Sequence, residues 1–300
     1  MMFPLGLARR ITRTRADVVH LHSGAWFKGA LAARLAGVRK LVYTEHGREH
    51  DDPWLVRWLD RQAAQRTTHV VAVSDRLRRY LSDVIHVSPN RLQTIENGVD
   101  VVQYSPGRVS DELRAALRIP PQALIIGSVG RLEPVKNYAR LLQVFAEVRA
   151  GGRFAAPLYL VICGEGSQRK ALELLAEQLG IAQVLRLPGW VEDPVPFYRL
   201  FHIFCLTSVS EGAPLSLMEA MACRAAPLVT DVGANAGILG PALASQVVQS
   251  EDARGLQHAL TVSLESQQHL EQLGRLARER IVKSFNLESL IAAYERLYLS

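Results

Sequence analysis

Short apolar runs alternate with amphipathic stretches along the whole of this chain. Val18–His22, Lys40–Thr44, His69–Val73 and Leu92–Glu96 are short runs, most of them rich in Val, Ile and Leu without strict polar alternation. That pattern predicts strands covered on both faces. After a break, the same signal returns at Leu124–Val129, Leu158–Cys163, Val184–Leu187, Ile203–Thr207, Ala226–Thr230 and Ser245–Val248. Between the runs, helical spacing marks Trp26–Leu35, Asp75–Val84, Arg140–Arg149, Ser167–Leu179, Leu215–Met221 and Gly255–Leu264. Apolar residues at 287, 290, 291, 294 and 297 predict a closing helix. Strand–helix alternation of this kind predicts an α/β chain built from parallel βαβ units. The break is rich in turn formers, Asn97-Gly98 and Pro106-Gly107, so we expect one domain over residues 1–104, a second over 105–285 and a terminal helix over 286–300.

Composition narrows the setting. A chain of 300 residues, 48% hydrophobic and 21% charged, is long enough for two globular domains. No apolar run approaches the ~18 residues of a membrane span. The start, Met1 to Arg10, places its charges after its apolar residues, the reverse of a secretory signal. Cys163, Cys205 and Cys223 are far apart in apolar surroundings, which predicts reduced buried thiols and a cytoplasmic chain. The net charge of +6 is uneven: residues 1–100 carry 16 Lys and Arg against 10 Asp and Glu, whereas residues 101–300 carry 19 of each. Solvated helix faces account for such a surplus, and so does peripheral contact with an anionic membrane at its inner face. No interleaved aromatic platform accompanies the charges, so nucleic acid is not an expected partner.

Ligands of open parallel sheets bind beyond the carboxyl ends of the strands, so the segments following the strands are where binding chemistry is expected. Gly130-Arg131-Leu132-Glu133-Pro134-Val135-Lys136-Asn137 puts two cations into one loop ahead of a helix. Arg131 offers a planar fork and Lys136 a mobile point charge, a pair suited to a diphosphate. Gly164-Glu165-Gly166-Ser167 reads as a tight turn with Ser167 as helix N-cap; it lacks the third glycine of a dinucleotide fingerprint. Pro188-Gly189-Trp190-Val191 offers backbone to a nucleobase edge, although a core tryptophan beneath a turn is the plainer reading of Trp190. The segment Ser210 to Ala222 holds Glu211 in a turn and Glu219 inside the following helix, whose first amides, at Leu215 and Ser216, can meet an anion. The neighbours of Glu219 are apolar, and a buried carboxylate needs a partner, here expected to be a ribose diol. His20, His22 and His46 cluster near two strand ends. A zinc site is one reading; a hydrogen-bonding role for His46 toward substrate is the other, and the one carried forward.

Taken together, Gly130-Arg131-Leu132…Lys136-Asn137, Gly164-Glu165-Gly166, Pro188-Gly189-Trp190-Val191, the spaced Glu211 and Glu219, and Thr230-Asp231-Val232-Gly233 resemble a family 4 (group 1) glycosyltransferase of the GT-B fold. Val71 to Ser74, Asn97-Gly98-Val99-Asp100 and the terminal helix with Tyr294 and Tyr298 fit the same pattern. The resemblance implies two Rossmann-like doubly wound domains facing a cleft and retaining transfer from a UDP-, GDP- or ADP-sugar to a glycan or lipid-linked acceptor, with no metal or other cofactor. It implies contact of the diphosphate with Arg131 and Lys136, aided by the amides of Leu215 and Ser216. It further implies that Glu219 holds the ribose, Glu211 the donor sugar and the backbone near Val191 the base, with His46 beside the donor sugar and acceptor.

This chain also departs from the family pattern. The strand, glycine-rich loop and two further units that ordinarily precede the segment matching residue 17 are not seen, so an incomplete first domain is expected. Arg224 stands where a glycine is usual, and Ala234-Asn235-Ala236-Gly237 replaces a Gly-Asn-Pro-Glu run. These departures keep open a catalytically inactive sugar-nucleotide binder. A GT-B-like sugar-nucleotide epimerase is a further alternative, and a dinucleotide oxidoreductase is disfavoured by the missing fingerprint.

Overall fold

The computed structural model describes residues 4–47, 52–152, 154 and 156–300. The chain divides into two compact units: Met1–Asn97 with Glu211–Ala213 and Glu288–Ser300, and Gly98–Ser210 with Pro214–Leu287.

In the first unit the elements run α1 (Pro4–Thr14), β1 (Val18–His22), α2 (Trp26–Leu35), β2 (Lys40–Glu45), α3 (Trp54–Arg66), β3 (His69–Ala72), α4 (Asp75–Asp83) and β4 (Leu92–Thr94). The four strands pair in parallel in the order β1-β2-β3-β4. The fully buried Leu41, Val42, Val70 and Val71 explain why β2 and β3 read as continuous apolar runs. α4 starts where Ser74 accepts the Leu77 N–H at 3.2 Å.

The second unit holds α5 (Asp111–Ala116), β5 (Leu124–Val129), α6 (Tyr138–Gly151), β6 (Leu158–Cys163), α7 (Arg169–Gln178), β7 (Leu185–Gly189), α8 (Val195–Leu200), β8 (Ile203–Leu206), α9 (Leu215–Ala222), β9 (Ala226–Thr230), α10 (Asn235–Leu239), β10 (Val247–Val248), α11 (Ala253–Leu264) and α12 (Gln267–Ser284). Its six-stranded sheet has the order β10-β9-β8-β5-β6-β7, with every pair parallel. The winding reverses between β5 and β8. That point opens a crevice beyond the strand ends. All three cysteines are buried and free.

The chain closes with α13 (Leu287–Leu299). Its Leu290, Ala293, Tyr294, Leu297 and Tyr298 pack with Val18, Val42, Val71 and Ile95 of the first unit's sheet. Lys40 Nζ donates to the carbonyls of Tyr298 and Ser300 at 2.9 and 2.7 Å, satisfying the end of the helix.

Several local expectations change. The strand expected over Ser245–Val248 shrinks to Val247–Val248, because Pro241–Gln246 forms a 3₁₀ segment with Pro241 in its first turn. α3 carries no inward apolar stripe: it buries Asp60, Ala63 and Ala64 while Trp54, Leu55, Val56 and Trp58 are exposed, so periodicity does not announce it. Arg224 takes φ +68°, the left-handed conformation that glycine adopts without steric cost.

Candidate active site

The loop after β5 is held by backbone hydrogen bonds and by the Glu133 carboxylate. Leu132 is fully buried; its N–H donates to the Glu165 carbonyl and its carbonyl accepts from the Gln168 N–H, both at 2.9 Å. Glu133 accepts the N–H and the hydroxyl of Ser167 at 3.0 and 2.7 Å. These bonds hold its carboxyl below the usual range. The expected Ser167 N-cap is thereby corrected: its hydroxyl is spent on Glu133, and the residue flanking α7 is Gln168. Pro134–Lys136 forms one 3₁₀ turn, and Asn137 at φ +51° redirects the chain into α6. The frame leaves Arg131 exposed and Lys136 half-buried.

Across the crevice, α9 begins after Pro214, with no side chain capping its first turn. The early amides of this helix, including Leu215 and Ser216, therefore keep the donor capacity and partial positive charge that suit an anion. Leu217, Met218, Ala220, Met221 and Ala222 are buried. They clamp α9 so that its one carboxylate, Glu219, is drawn largely out of water.

Glu219 shows the largest difference from the sequence reading. Its carboxylate already has a protein partner: the Tyr198 hydroxyl donates to Oε2 at 2.6 Å, and the Tyr104 phenol stands close enough to stabilise the charge. Burial raises the Glu219 pKa and the two phenols act against that rise. Tyr104 is in turn pushed up to about 12, by burial first and then by the Glu219 charge. A hydrogen bond to a charged group contributes about 1.5–3 kcal/mol, so the Tyr198 contact offsets part of the burial cost without any ligand. A carboxylate accepts at several lone-pair sites, so capacity for a diol is not exhausted. Nothing in the local sequence around Tyr104 or Tyr198 marks either as a partner of Glu219; α8 and the segment before α5 meet α9 only through folding.

At the end of β7, Gly189 has φ +90° and its carbonyl accepts the Gly164 N–H at 2.7 Å. Trp190 is 72% exposed, which corrects the core reading, and Val191 follows it as irregular, half-buried backbone. The second unit thus brings Arg131, Lys136, Leu215, Ser216, Glu219 and Val191 to the carboxyl ends of one parallel sheet.

The other two predicted residues belong to the first unit. His46 lies just beyond β2, and Glu211 is in the segment 211–213 that groups with that unit. A β-carbon added to Gly212 would fall 1.8 Å from the His46 carbonyl oxygen, so only glycine lets the two loops touch. Asn97 Nδ2 donates to the Ala213 carbonyl at 2.9 Å and fixes the segment's far side. Around His46, the His22 Nδ1 and His46 Nε2 atoms are 2.8 Å apart, and Ser23 Oγ accepts the His46 N–H at 2.9 Å. Among the described residues, no group of three or more His, Cys, Asp or Glu is arranged to hold a metal ion.

Residues 109–280 match the family model described as glycosyl transferases group 1, and residues 1–103 match that of glycosyltransferase family 4. The chain belongs to the group 1 glycosyltransferases, enzymes of glycan biosynthesis, and its two parallel-sheet units are those of the GT-B fold. It is 24% identical, over 98% of its length and 78% of the relative's, to the UDP-Gal:alpha-D-GlcNAc-diphosphoundecaprenol alpha-1,3-galactosyltransferase of Escherichia coli. To the alpha-maltose-1-phosphate synthase of Mycolicibacterium smegmatis it is 27% identical, over 90% of this chain and 76% of that one. In structure it superimposes on Anabaena HepE, solved in complex with UDP, with a TM-score of 0.86 at 18% identity, covering all of this chain and 85% of the other.

Proposed function

We propose that the chain transfers a sugar, with retention of anomeric configuration, from a nucleoside-diphosphate sugar to a hydroxyl of a glycan or lipid-linked acceptor. The observation that carries this reading is the pairing, at the β5/β8 crevice, of a cation-bearing loop with the uncapped start of α9. In this role Arg131 and Lys136 neutralise the diphosphate as the bond from the anomeric carbon to phosphate oxygen breaks. Leu215 and Ser216 donate backbone N–H groups to it, Glu219 accepts from the ribose, and backbone at Val191 meets the base. Glu211 and His46 hydrogen-bond the donor sugar, and the acceptor hydroxyl attacks from the face that the diphosphate leaves. No metal is assigned to this reaction. The names of the relatives support the donor class and a lipid-linked acceptor.

Calorimetric titration with UDP, GDP and ADP tests the site. One of the three is expected to bind, with Glu219→Ala weakening it about tenfold or more through the lost diol contact. Binding of none of them, or equal binding by the variant, would remove the assignment.

A lipid-linked acceptor calls for contact with a membrane surface. No described helix is long and apolar enough to cross one. Supporting a peripheral contact, α3 exposes Trp54, Leu55, Val56 and Trp58, and α1 exposes Arg9, Arg10 and Arg13. The protein is expected to sediment with vesicles containing anionic lipid and to be released by about 0.5 M salt, which collapses the Debye length to a few ångström. Equal sedimentation with purely zwitterionic vesicles would exclude the electrostatic part.

A further inference from the structure

Three imidazoles lie in a row on one face of the first unit's sheet. His20 and His22 sit two apart on β1, opposite Val42 and Thr44 of β2, so strand alternation puts both on the side that also carries Thr44 and His46. The His20 and His22 ring centroids are 4.3 Å apart; those of His22 and His46 are 5.1 Å apart and nearly parallel at 22°. The row is anchored at its inner end. His20 Nδ1 lies 2.6 Å from the Tyr298 hydroxyl and Nε2 lies 2.7 Å from Thr44 Oγ1, which is itself 2.9 Å from the Tyr294 hydroxyl. Burial first, then the neighbouring His22 and His46, lower the His20 pKa to about 4. That ring is therefore neutral at physiological pH and offers one donor and one acceptor to its two hydroxyl neighbours.

We infer that His22 is a positioning residue for His46: the 2.8 Å contact between His22 Nδ1 and His46 Nε2 couples the tautomer of His46 to that of His22 and fixes its ring plane. The chemistry of the contact requires this. Two neutral imidazoles can share it only if one nitrogen carries the hydrogen and the other a lone pair. When His46 Nε2 donates, its Nδ1 is left as an acceptor; when it accepts, Nδ1 carries the hydrogen. Either way Nδ1 has one defined role, and among the described residues it makes no hydrogen bond, so it is the atom offered to a ligand. Burial and the charge of His22 hold the His46 pKa below the usual imidazole value, while Glu45 acts the other way. That shift favours the neutral form of the His46 ring. The Ser23 hydroxyl fixes the backbone of the same residue by accepting its N–H and donating to Glu45 Oε1. Holding a functional histidine by its second ring nitrogen is a general means of setting its orientation.

The inference rests on the proposed contact of His46 with donor sugar and acceptor, and the test separates the two. His22→Phe keeps a ring in the row and removes the hydrogen bond; His22→Asn restores a polar group close to where Nδ1 stood. With a nucleotide-sugar donor, His22→Phe is expected to lower kcat about five- to tenfold, the worth of one hydrogen bond, with KM little changed, and His22→Asn to recover most of that loss. Imidazole ¹⁵N shifts of the folded protein, assigned with His46→Ala, supply a readout independent of activity. His46 Nε2 is expected to show a hydrogen-bonded shift in the wild type and in His22→Asn, and to lose it in His22→Phe. An Nε2 shift unchanged in His22→Phe, or wild-type kcat in that variant, would overturn the inference. If His46→Ala itself turns over normally, the role of His46 falls and that of His22 with it. If His46→Ala is inactive while His22→Phe is not, only the present inference fails.

Discussion

Replacing Arg131 by alanine is expected to lower kcat/KM for the nucleotide-sugar donor by about 10²–10³, the usual effect of removing one preorganised group that stabilises developing charge. The variant isolates chemistry from folding because the loop does not depend on the guanidinium. Leu132 anchors it through two backbone hydrogen bonds, and Glu133 through Ser167. Among the described residues the Arg131 side chain makes no hydrogen bond, and it is exposed. Arg131→Lys should recover only part of the loss, since an ammonium cannot offer the planar fork that matches two phosphate oxygens. Steady-state kinetics on variants that keep the wild-type thermal transition would decide the point. Undiminished kcat/KM in Arg131→Ala would take this residue out of the donor site.

Gly164→Ala is expected to destabilise the protein by about 2–5 kcal/mol, through enforced overpacking and backbone strain together. A β-carbon there would sit 1.9 Å from the Gly130 carbonyl oxygen, and the backbone has φ +147°. The neighbourhood has no slack. Gly164 N–H reaches the Gly189 carbonyl at 2.7 Å, and Gly130 N–H reaches the Cys163 carbonyl at 3.0 Å. The ends of β5, β6 and β7 are therefore laced together at this one turn. Relieving the clash would displace the loop that carries Arg131 and Lys136, so loss of donor binding should accompany loss of stability. Gly237→Ala serves as the control, since its added methyl would meet nothing within 4 Å, and an alanine in a helix is at worst neutral. Denaturant unfolding of the two variants gives the comparison; equal stability would refute the packing argument.

Much of this was legible in the residues themselves. Val18–His22, Leu124–Val129, Leu158–Cys163 and Ala226–Thr230 are strands with the boundaries that their apolar runs predict; the last three are buried on both faces and so need apolar side chains on both. The cation loop and the start of α9 were legible too, since glycine and proline mark where strands end and helices begin. α3 was not, because its apolar residues face outward, and periodicity reports only a face that turns to a core.

By itself the sequence determined two parallel-sheet units, the family to which they belong and the loops to which the proposed chemistry is assigned. All of these are local patterns of backbone propensity and spacing. Partnership was decided only by the tertiary structure. Glu219 is held by Tyr198, Ser167 serves Glu133 instead of capping a helix, and Trp190 stands in solvent. Each depends on which surfaces meet when distant segments close on one another, and a buried polar group is satisfied by whatever donor the packed fold brings within reach.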